Sequence, residues 1–459
     1  MRRIAATRQL SVVLVLVVAS VALLPAWTVG AEEVLRRAQG PDTRGMLLNL
    51  QETGIVALRE ATAATGRDVL VAVIDTGVDP THPDLRTTTQ GRPKIVDWVD
   101  FTDEGLVYTL EAPLPADGRL QTPYGEYRMQ GIASASGKVR YGVFWEQQMD
   151  SAGYVGQDVD FNGLKVDRFF VLVTDPQQPG VYERVYVDTN GNHDLADETP
   201  LGPFRESGGW ARFGRDDPRT PEVEGLPFVV AEVAPDGSFV RLGFDGNGHG
   251  THVAGAIAAW GGSEGLVGVA PDAQLLVIKA LTSSGRGSWD DVAAAIRYAA
   301  QAGADVVNIS ISSDEGLLGG ADAASQLIGE LAARHQIAFV VAAGNSGPGL
   351  GSAMAPVDPR YSITVGAYIS RERWAHDYGY LVPEDTLWYQ SAVGPRPDGL
   401  QVPDLVAPGR VTSCVPRWDS AGGYATLEGT SMAASLVTGA VALILDAAER
   451  VGVRADPVR

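Results

Sequence analysis

The stretch VLVAVIDTG, at residues 69–77, is the most informative part of the chain. An unbroken run of apolar, mostly β-branched residues ends abruptly in Asp-Thr-Gly. Such a run, bounded by turn-forming residues, is typical of a strand that is buried on both faces of a parallel sheet. Open parallel sheets place their functional side chains at the carboxyl ends of strands. Asp75, which follows the apolar run, is therefore predicted to lie at that edge as a candidate functional carboxylate.

Four later stretches repeat this pattern, and helical stretches separate them. The further predicted strands are at 274–281, 305–312, 337–345 and 361–368. The helices expected between them include 289–303 and 321–335. Strands that alternate with helices of this length predict an α/β fold with a doubly wound, mostly parallel sheet.

Residues 103–240 interrupt the alternation. They are rich in glycine, proline and short alternating strands, and the segment 228–242 contains Pro-Asp-Gly between two alternating runs, which indicates a hairpin. We therefore predict a β-rich insertion at 103–240, within an α/β domain formed by residues 53–102 and 241–459.

The N-terminus has the pattern of an export signal. Three arginines precede an apolar run at 10–27, and the small residues Val29 and Ala31 follow it at the spacing that signal peptidases accept. This pattern predicts a signal peptide at 1–31, a short N-terminal segment at 32–52 and a secreted, bacterial protein. A retained membrane anchor is the alternative, because the apolar run approaches the length that spans a bilayer.

The composition limits the class of protein and its partners. Hydrophobic residues make up 45% of the 459 residues and charged residues 20%, which is ordinary for a globular protein and argues against overall disorder. The formal net charge of −20 disfavours nucleic acid as a partner. The single cysteine, Cys414, cannot form an intramolecular disulfide, so stability has to come from the core or from bound ions.

Four side chains are predicted to meet at one end of the sheet. Asp75 and Asn345 end strands, whereas His249 and Ser431 stand at the start of helices. A serine hydroxyl needs a neighbouring base to become a nucleophile, an imidazole is such a base near neutral pH, and a buried carboxylate fixes its tautomer. The backbone N–H of Ser431 and the amide of Asn345 can donate to the charge that develops on a substrate oxygen. The set therefore predicts acyl transfer by a nucleophilic serine.

The motifs around these side chains resemble those of a known family. The motifs DTGVD (75–79), HGTHVAG (249–255), AAGNSGPG (342–349) and GTSMA (429–433) are similar to the four signatures of the subtilisin-like serine peptidases, in that family's order. The resemblance implies a peptide or protein substrate, a triad in which Asp75 orients His249 and His249 activates Ser431, and an oxyanion contact from Asn345. It implies no cofactor for the chemistry.

The resemblance also implies where substrate lies. Residues 284–288, SGRGS, resemble the edge strand that pairs with the substrate backbone, so Gly285 and Gly287 are expected to contact substrate. Residues 308–312, NISIS, resemble the floor of the main specificity pocket, which adds Ser310.

Three features depart from the family pattern. Ala434-Ser435-Leu436 follows GTSMA where the family usually has Thr or Ser, Pro and often His, and Ser312 replaces a pocket glycine. The chain ends 28 residues after Ser431, where the family commonly adds another helix and strand, so we expect a truncated C-terminus. The altered pocket and early end keep a second hypothesis open, a catalytically silent module that binds peptides.

The distance between the first two motifs is also unusual. Asp75 and His249 are 174 residues apart, several times the separation in a compact subtilisin. An insertion at this point, preceded by residues 91–105, is similar to that of the tripeptidyl peptidase II branch, which removes short peptides from free N-termini. The resemblance therefore leaves a tripeptidyl exopeptidase open beside an endopeptidase.

His249 and His252 have the spacing of two metal ligands. A zinc hydrolase of this type needs a third ligand and a general base, as HExxH helices provide, and Gly250 and Thr251 supply neither. We therefore predict that His249 is the catalytic base and that His252 is a structural residue.

A second candidate metal site lies inside the insertion. Residues 188–198, DTNGNHDLADE, place side-chain oxygens at Asp188, Asn190, Asn192 and Asp194. Alternating oxygen ligands suit calcium, although the loop is not an EF-hand, because its twelfth position is threonine. A structural calcium ion and a solvated acidic turn are both open interpretations.

Overall fold

The structure, a computed structural model, describes most of the chain. It covers residues 44–453 apart from short gaps at 216–218, 220–224, 263–265, 313–322, 354–355, 357–359 and 397–398. The predicted signal peptide at 1–31 lies outside the described residues, as do residues 32–43 of the predicted N-terminal segment.

Helices and strands alternate at both ends of the described chain, and strands dominate its middle. The strands are β1 (Leu70–Asp75), β2 (Ile95–Asp100), β3 (Leu106–Tyr108), β4 (Leu110–Pro113), β5 (Arg119–Thr122), β6 (Gly125–Arg128), β7 (Lys138–Trp145), β8 (Arg168–Thr174), β9 (Arg184–Val187), β10 (Ala211–Arg212), β11 (Pro227–Val233), β12 (Phe239–Gly243), β13 (Gln274–Lys279), β14 (Val306–Ile309), β15 (Ala338–Ala342), β16 (Ser362–Ile369), β17 (Thr386–Leu387), β18 (Leu405–Pro408), β19 (Arg410–Cys414) and β20 (Tyr424–Glu428). The α-helices are α1 (Arg44–Glu52), α2 (Ile55–Thr62), α3 (Phe204–Ser207), α4 (His249–Ala258), α5 (Trp289–Gln301), α6 (Ala323–His335), α7 (Arg371–Tyr378) and α8 (Thr430–Arg450).

The central sheet has eight strands. Strands β2, β13, β1, β14, β15, β16 and β18 run parallel in that order, and the short strand β17 pairs antiparallel with β16. All five strands predicted from apolar runs belong to this sheet, and helices pack on both of its faces. The predicted fold class, α/β with a doubly wound, mostly parallel sheet, is confirmed.

The position of β1 explains its sequence. Val71 and Val73 face one hydrophobic core, which includes residues of α4 and α8, and Ala72 and Ile74 face a second core, which includes residues of α5 and α6. None of these four side chains is more than 1% exposed. Because helices cover both faces of the sheet, the strand is apolar throughout until Asp75.

Strands β3 to β12 lie in the segment between β2 and α4. Strands β4, β7, β8 and β9 form one antiparallel sheet, and strands β10, β11, β12 and β3 form another. A core shared by these strands contains a group of contacting phenylalanines, which are Phe144, Phe169, Phe213, Phe228 and Phe244. The predicted hairpin is present as β11 and β12, and β12 continues to Gly243, just past the predicted boundary at 240.

Trp98 joins this segment to the central sheet. Its ring is fully buried, and its Nε1 donates a hydrogen bond of 3.0 Å to the carbonyl of Val78, in the DTGVD motif. A Cβ added at Gly243 would lie 2.3 Å from the Trp98 ring, so only glycine allows β12 to approach so closely. The contact fixes the end of β12 beside the carboxyl end of β1.

Helix α8 is the longest helix of the described chain and carries Ser431 in its first turn. Among the described residues it is the one helix that is long and apolar enough to cross a bilayer. Ala433, Ala434, Ala442 and Leu443 are nevertheless completely buried in the core against the central sheet. The helix therefore serves here as a core helix that positions Ser431.

Candidate active site

Asp75 and His249 are in direct contact. Asp75 lies at the end of β1 and is completely buried, and its Oδ1 accepts hydrogen bonds from the backbone N–H of Thr76, at 2.8 Å, and from Nδ1 of His249, at 2.7 Å. Gly250 makes this approach possible, since a Cβ there would lie 2.0 Å from the carbonyl oxygen of Gly77. The contact places the proton on Nδ1 and leaves Nε2 of the ring as a proton acceptor.

Asp245, whose role no motif predicted, fixes the start of the His249 helix. Its Oδ1 accepts from the hydroxyl of Thr76 at 3.0 Å and from the N–H of Gly248 at 2.8 Å, and its Oδ2 accepts from the hydroxyl of Thr251 at 2.5 Å. Burial raises the pKa of this carboxyl above its ordinary range, although the hydrogen bonds oppose the shift. Asp245 thus ties α4 to the residue that follows Asp75.

The two histidines of the HxxH motif have opposite electrostatics. Burial alone lowers the pKa of the His249 ring, but the charge and hydrogen bond of Asp75 outweigh that effect and raise it above its ordinary value. Burial lowers the pKa of His252 to about 3, and its Nε2 lies 3.2 Å from the carbonyl oxygen of Val411. Within the described part of the chain, no group of three metal-binding side chains includes either histidine. His252 is accordingly a neutral, structural residue.

Ser431 lies on the same cleft as His249. Only 6% of Ser431 is exposed, and no hydrogen bond joins its hydroxyl to His249 among the described residues. The Ser310 hydroxyl donates a hydrogen bond of 3.4 Å to the backbone carbonyl of Ser431. The same hydroxyl accepts a hydrogen bond of 2.9 Å from Nδ2 of Asn308. Contacts between nucleophile and base are often loose in the absence of substrate, so this geometry is compatible with activation by His249.

Asn345 is oriented by Thr430. The backbone N–H and the hydroxyl of Thr430 donate to Oδ1 of Asn345 at 3.1 and 2.8 Å. Because a backbone N–H can only donate, the Asn345 oxygen must face Thr430, and Nδ2 is left without a partner among the described residues. The exposed Asn345 side chain lines the cleft beside Ser431, so its Nδ2 can donate to a bound group.

The cleft brings most of the predicted substrate-binding residues together. It has a volume of about 290 Å³, and Gly285 and Ser310 line it, as expected. Gly287 does not; it packs on the backbone, and a Cβ there would lie 2.2 Å from the carbonyl oxygen of Ala280. The cleft residues are Thr76, Tyr154, Asn247, His249, Leu281, Ser284, Gly285, Ser310, Ile311, Ser312, Ala342, Gly344, Asn345, Thr430 and Ser431.

Residues 282–286 form a turn, and no residue of 284–288 belongs to a strand in the structure, so pairing of this segment with a substrate backbone stays a prediction. The N–H of Thr282 donates to the carbonyl of Arg286 at 2.7 Å, which folds the segment back on itself. Glu104 accepts hydrogen bonds from the N–H and hydroxyl of Ser283 at 2.8 and 3.1 Å. These side-chain contacts hold the backbone in the turn, and the sequence motif alone does not reveal them.

A buried ion pair connects Glu104 to the triad. Lys279 is completely buried at the end of β13, where it is the register partner of Asp75, and its Nζ lies 3.1 Å from Oε2 of Glu104. The same Nζ donates to the carbonyls of Thr76 and Leu281, each at 2.9 Å. Through Lys279, Glu104 therefore joins the segment after β2 to the backbone at Thr76 and Leu281, both of which line the cleft.

The predicted calcium loop is closed by its own hydrogen bonds. Oδ1 of Asp188 accepts from the N–H of Asn192 at 3.1 Å, and Oδ1 of Asn192 accepts from the N–H of Asp194 at 2.7 Å. Asp194 also pairs with Arg128 at 3.0 Å, a cation that competes with a metal ion. The oxygen-rich donor set suits a hard cation such as calcium, and Asp188, Asn190, Asn192 and Asp194 would hold it.

A second acidic cluster, which was not predicted from the sequence, lies between β7 and β8. The carboxylate oxygens of Glu146, Asp158 and Asp160 lie within 4.8 Å of one another. Burial raises the pKa of Glu146 to about 7, against the effect of hydrogen bonds from two backbone N–H groups. Asp158, Asp160 and Asn162 repeat the alternating pattern of the first loop, which was the available sequence signal.

We propose that the loop around Asp188 binds calcium, and chelation tests this directly. Since a ligand in hundredfold excess over its Kd stabilises a fold by about 2.7 kcal/mol, EDTA should lower the Tm of calcium-loaded protein by about 3 °C. The double variant Asp188→Ala, Asn190→Ala should lose this response, whereas Asp160→Ala reports on the second cluster. A Tm that EDTA leaves unchanged would favour a solvated acidic turn.

Comparison with known proteins places the chain among peptidases. A family model described as the subtilase family, Peptidase S8, matches residues 66–455. Pyrolysin of Pyrococcus furiosus is 34% identical over a region that covers 85% of this chain and 32% of pyrolysin. Tripeptidyl-peptidase 2 of Arabidopsis thaliana is 28% identical, with the same two coverages. The chain thus spans about a third of the length of these relatives.

A solved structure agrees with the fold. The crystal structure of tripeptidyl peptidase 2 superposes on 87% of this chain with a TM-score of 0.62 and 19% sequence identity. The superposition covers 34% of that protein. At this level of identity the likeness concerns the fold alone, and it includes most of the segment between β2 and α4.

Proposed function

The chain belongs to the subtilase family of peptidases, and on that premise we propose that it is a serine endopeptidase. One observation carries the proposal. The hydrogen bond of 2.7 Å between Asp75 and His249 lies at the wall of a cleft that Ser431 and Asn345 also line. Secretion is part of the proposal and is supported by the sequence of residues 1–31. The substrates are peptides or proteins.

The proposed reaction begins with proton transfer from Ser431 to His249. Nε2 of His249 takes the proton from the Ser431 hydroxyl as Oγ attacks the carbonyl carbon of the scissile bond. Asp75 stays ionised, accepts the hydrogen bond from Nδ1–H of His249 throughout and stabilises the imidazolium. The oxygen of the tetrahedral intermediate accepts from Nδ2 of Asn345 and from the Ser431 N–H, which has no partner within the first turn of α8.

The intermediate then collapses. The carbon–nitrogen bond breaks, and His249 gives its proton to the leaving amine, which departs with a new N-terminus. A water molecule repeats the sequence on the acyl-enzyme: His249 removes its proton, its oxygen attacks the ester carbon, and Ser431 leaves and regains a proton from His249. Water and the peptide bond are consumed, and one carboxylate and one amine are formed.

A tripeptidyl exopeptidase is the second candidate, and the similarity to tripeptidyl-peptidase 2 favours it. A matched pair of peptides with free and N-acetylated termini separates the two. We expect cleavage of both peptides at internal bonds, since an endopeptidase does not need a free amine. Cleavage only of the free peptide, three residues from its terminus, would contradict the endopeptidase proposal. A folded protein that cleaves neither would indicate the silent peptide-binding module.

The pH dependence follows from the raised pKa of His249. The base must be neutral to accept a proton, so kcat/KM should fall on acidification through a pKa above the ordinary 6.5 or so of histidine. The folded state holds this proton more tightly than the unfolded chain does, so protonating His249 adds to stability and the loss of rate is not unfolding at this site. Circular dichroism over the same range is the control, and a limb centred below pH 6 would contradict the assignment.

A further inference from the structure

One cleft residue lies in the insertion and not in the α/β domain. Tyr154 lies between β7 and β8, and it is the one residue of the stretch from β3 to β12 among the described residues that line the cleft. Its side chain is 80% exposed and makes no hydrogen bond or ring contact with another described residue. An exposed tyrosine on the wall of a peptide cleft is an apolar surface that a bound side chain can cover.

The segment that carries Tyr154 is held at both ends. Residues 149–156 are here called the arm. The side chains of Met149 and Val155, at or next to its two ends, are buried in the core of the insertion. Gly153 packs directly on the cleft turn, since a Cβ there would lie 2.8 Å from Cβ of Ser283. Tyr154 therefore stands between two anchored neighbours.

Asp150 bonds the arm to the turn that forms the cleft wall. Its carboxylate accepts hydrogen bonds from the hydroxyls of Ser284 and Thr282, the latter at 3.3 Å. Its backbone N–H donates to Oε1 of Glu104 at 3.0 Å, and Oε2 of the same Glu104 binds Ser283. The Asp150 carboxylate of the arm therefore binds the turn, and the Glu104 carboxylate binds both the arm and the turn. These bonds fix the Tyr154 backbone relative to the cleft.

The other residues on this wall leave room for a large substrate side chain. Ser284 and Gly285 are small, and Leu281 supplies a second apolar surface. Resting on the proposed function, we infer that Tyr154 is a specificity-determining residue that selects an aromatic or large apolar side chain at one substrate position away from the scissile bond. The selected side chain packs on the Tyr154 ring, and Asp150 is the positioning residue that holds the arm against the turn.

Binding tests the inference without relying on catalysis. In the full-length Ser431→Ala protein, the probes are N-acetylated hexapeptide amides of glycine and alanine in which one phenylalanine is moved through the six positions. Phenylalanine at one position should lower Kd by about tenfold relative to the peptide without it, a preference in the range that one aromatic contact supports. Tyr154→Ala should remove this preference, and Tyr154→Phe should keep it.

Tyr108→Ala is the matched control. Tyr108 is 75% exposed on β3 and does not line the cleft, so its loss should leave the preference unchanged. No positional preference in the parent protein, or a preference that survives Tyr154→Ala, would overturn the inference. Asp150→Asn should weaken the preference and raise KM while leaving kcat unchanged, an effect that a purely structural role would not confine to KM.

Kinetics separates this inference from the proposed function. In the protein with Ser431 intact, a small fluorophosphonate should label the Tyr154→Ala variant as fast as the parent, while kcat/KM for the preferred peptide falls about tenfold. Absence of labelling and hydrolysis in the parent would overturn the peptidase proposal alone, because the binding experiment still decides the role of Tyr154. If the Tyr154→Ala variant is labelled and keeps the peptide preference of the parent, the proposed role of Tyr154 is wrong and the peptidase proposal stands.

Discussion

Replacing Ser431 by alanine lowers kcat for peptide hydrolysis by at least about 10⁴-fold, because the hydroxyl that His249 is proposed to activate is then missing. The structure gives a reason to expect a folded variant. The Ser431 hydroxyl makes no hydrogen bond to the described residues, and Ser310 contacts only its backbone carbonyl. Steady-state hydrolysis of a peptide that the parent cleaves measures the effect.

Ser435→Ala is the matched control for this prediction. Ser435 is one turn further along α8, is completely buried, and donates its hydroxyl to the carbonyl of Met432 at 2.7 Å. Its loss should cost stability but change kcat by less than about tenfold. If Ser431→Ala retained the rate of the parent, the serine mechanism would be wrong.

Replacing Asp75 by asparagine should lower kcat by about 10⁴-fold with little change in the fold. The amide can donate to Nδ1 of His249, and the ring proton then moves to Nε2, where it blocks the acceptance of a proton from Ser431. Removing the charge also removes what raises the pKa of His249, so the acid limb of the pH profile should shift down. Proton NMR of the His249 ring and steady-state kinetics measure the two effects.

Asp79→Asn controls for changes elsewhere in the DTGVD motif. Asp79 is also buried, but its Oδ1 accepts from the N–H and hydroxyl of Thr81, at 2.8 and 2.7 Å, and does not contact His249. Its variant should keep kcat within about tenfold. If the Asp75→Asn protein had the same kcat as the Asp79→Asn protein, the proposed orientation of His249 by Asp75 would be wrong.

The parts of the fold that the sequence predicted are those with a local signal. The apolar run before Asp75 reflects a strand covered on both faces, and the predicted strands and helices of the central sheet each carry a comparable pattern. The motifs around His249, Asn345 and Ser431 stand at strand or helix ends, and the topology of a parallel sheet brings such ends together. Their meeting at one cleft could therefore be predicted from the sequence.

The rest depends on contacts between distant parts of the chain. Glu104 reaches Lys279 and Ser283, 179 residues from the latter, and no local pattern indicates either contact. Tyr154 is one of many polar or aromatic residues in the insertion, and only the packing of Gly153 on the turn brings it to the cleft. For Gly287, by contrast, a local motif predicted a substrate contact. Its backbone packs closely on Ala280 instead, and it does not line the cleft.

Active-site labelling tests the central claim most directly. The folded, full-length protein is incubated with a fluorophosphonate at pH 8, and the adduct is counted by intact mass and located by peptide mapping. We expect one adduct per chain, on Ser431, and none in His249→Ala or in denatured protein. A folded protein that takes up no adduct, or one labelled at another serine of the cleft, would contradict the claim that His249 activates Ser431.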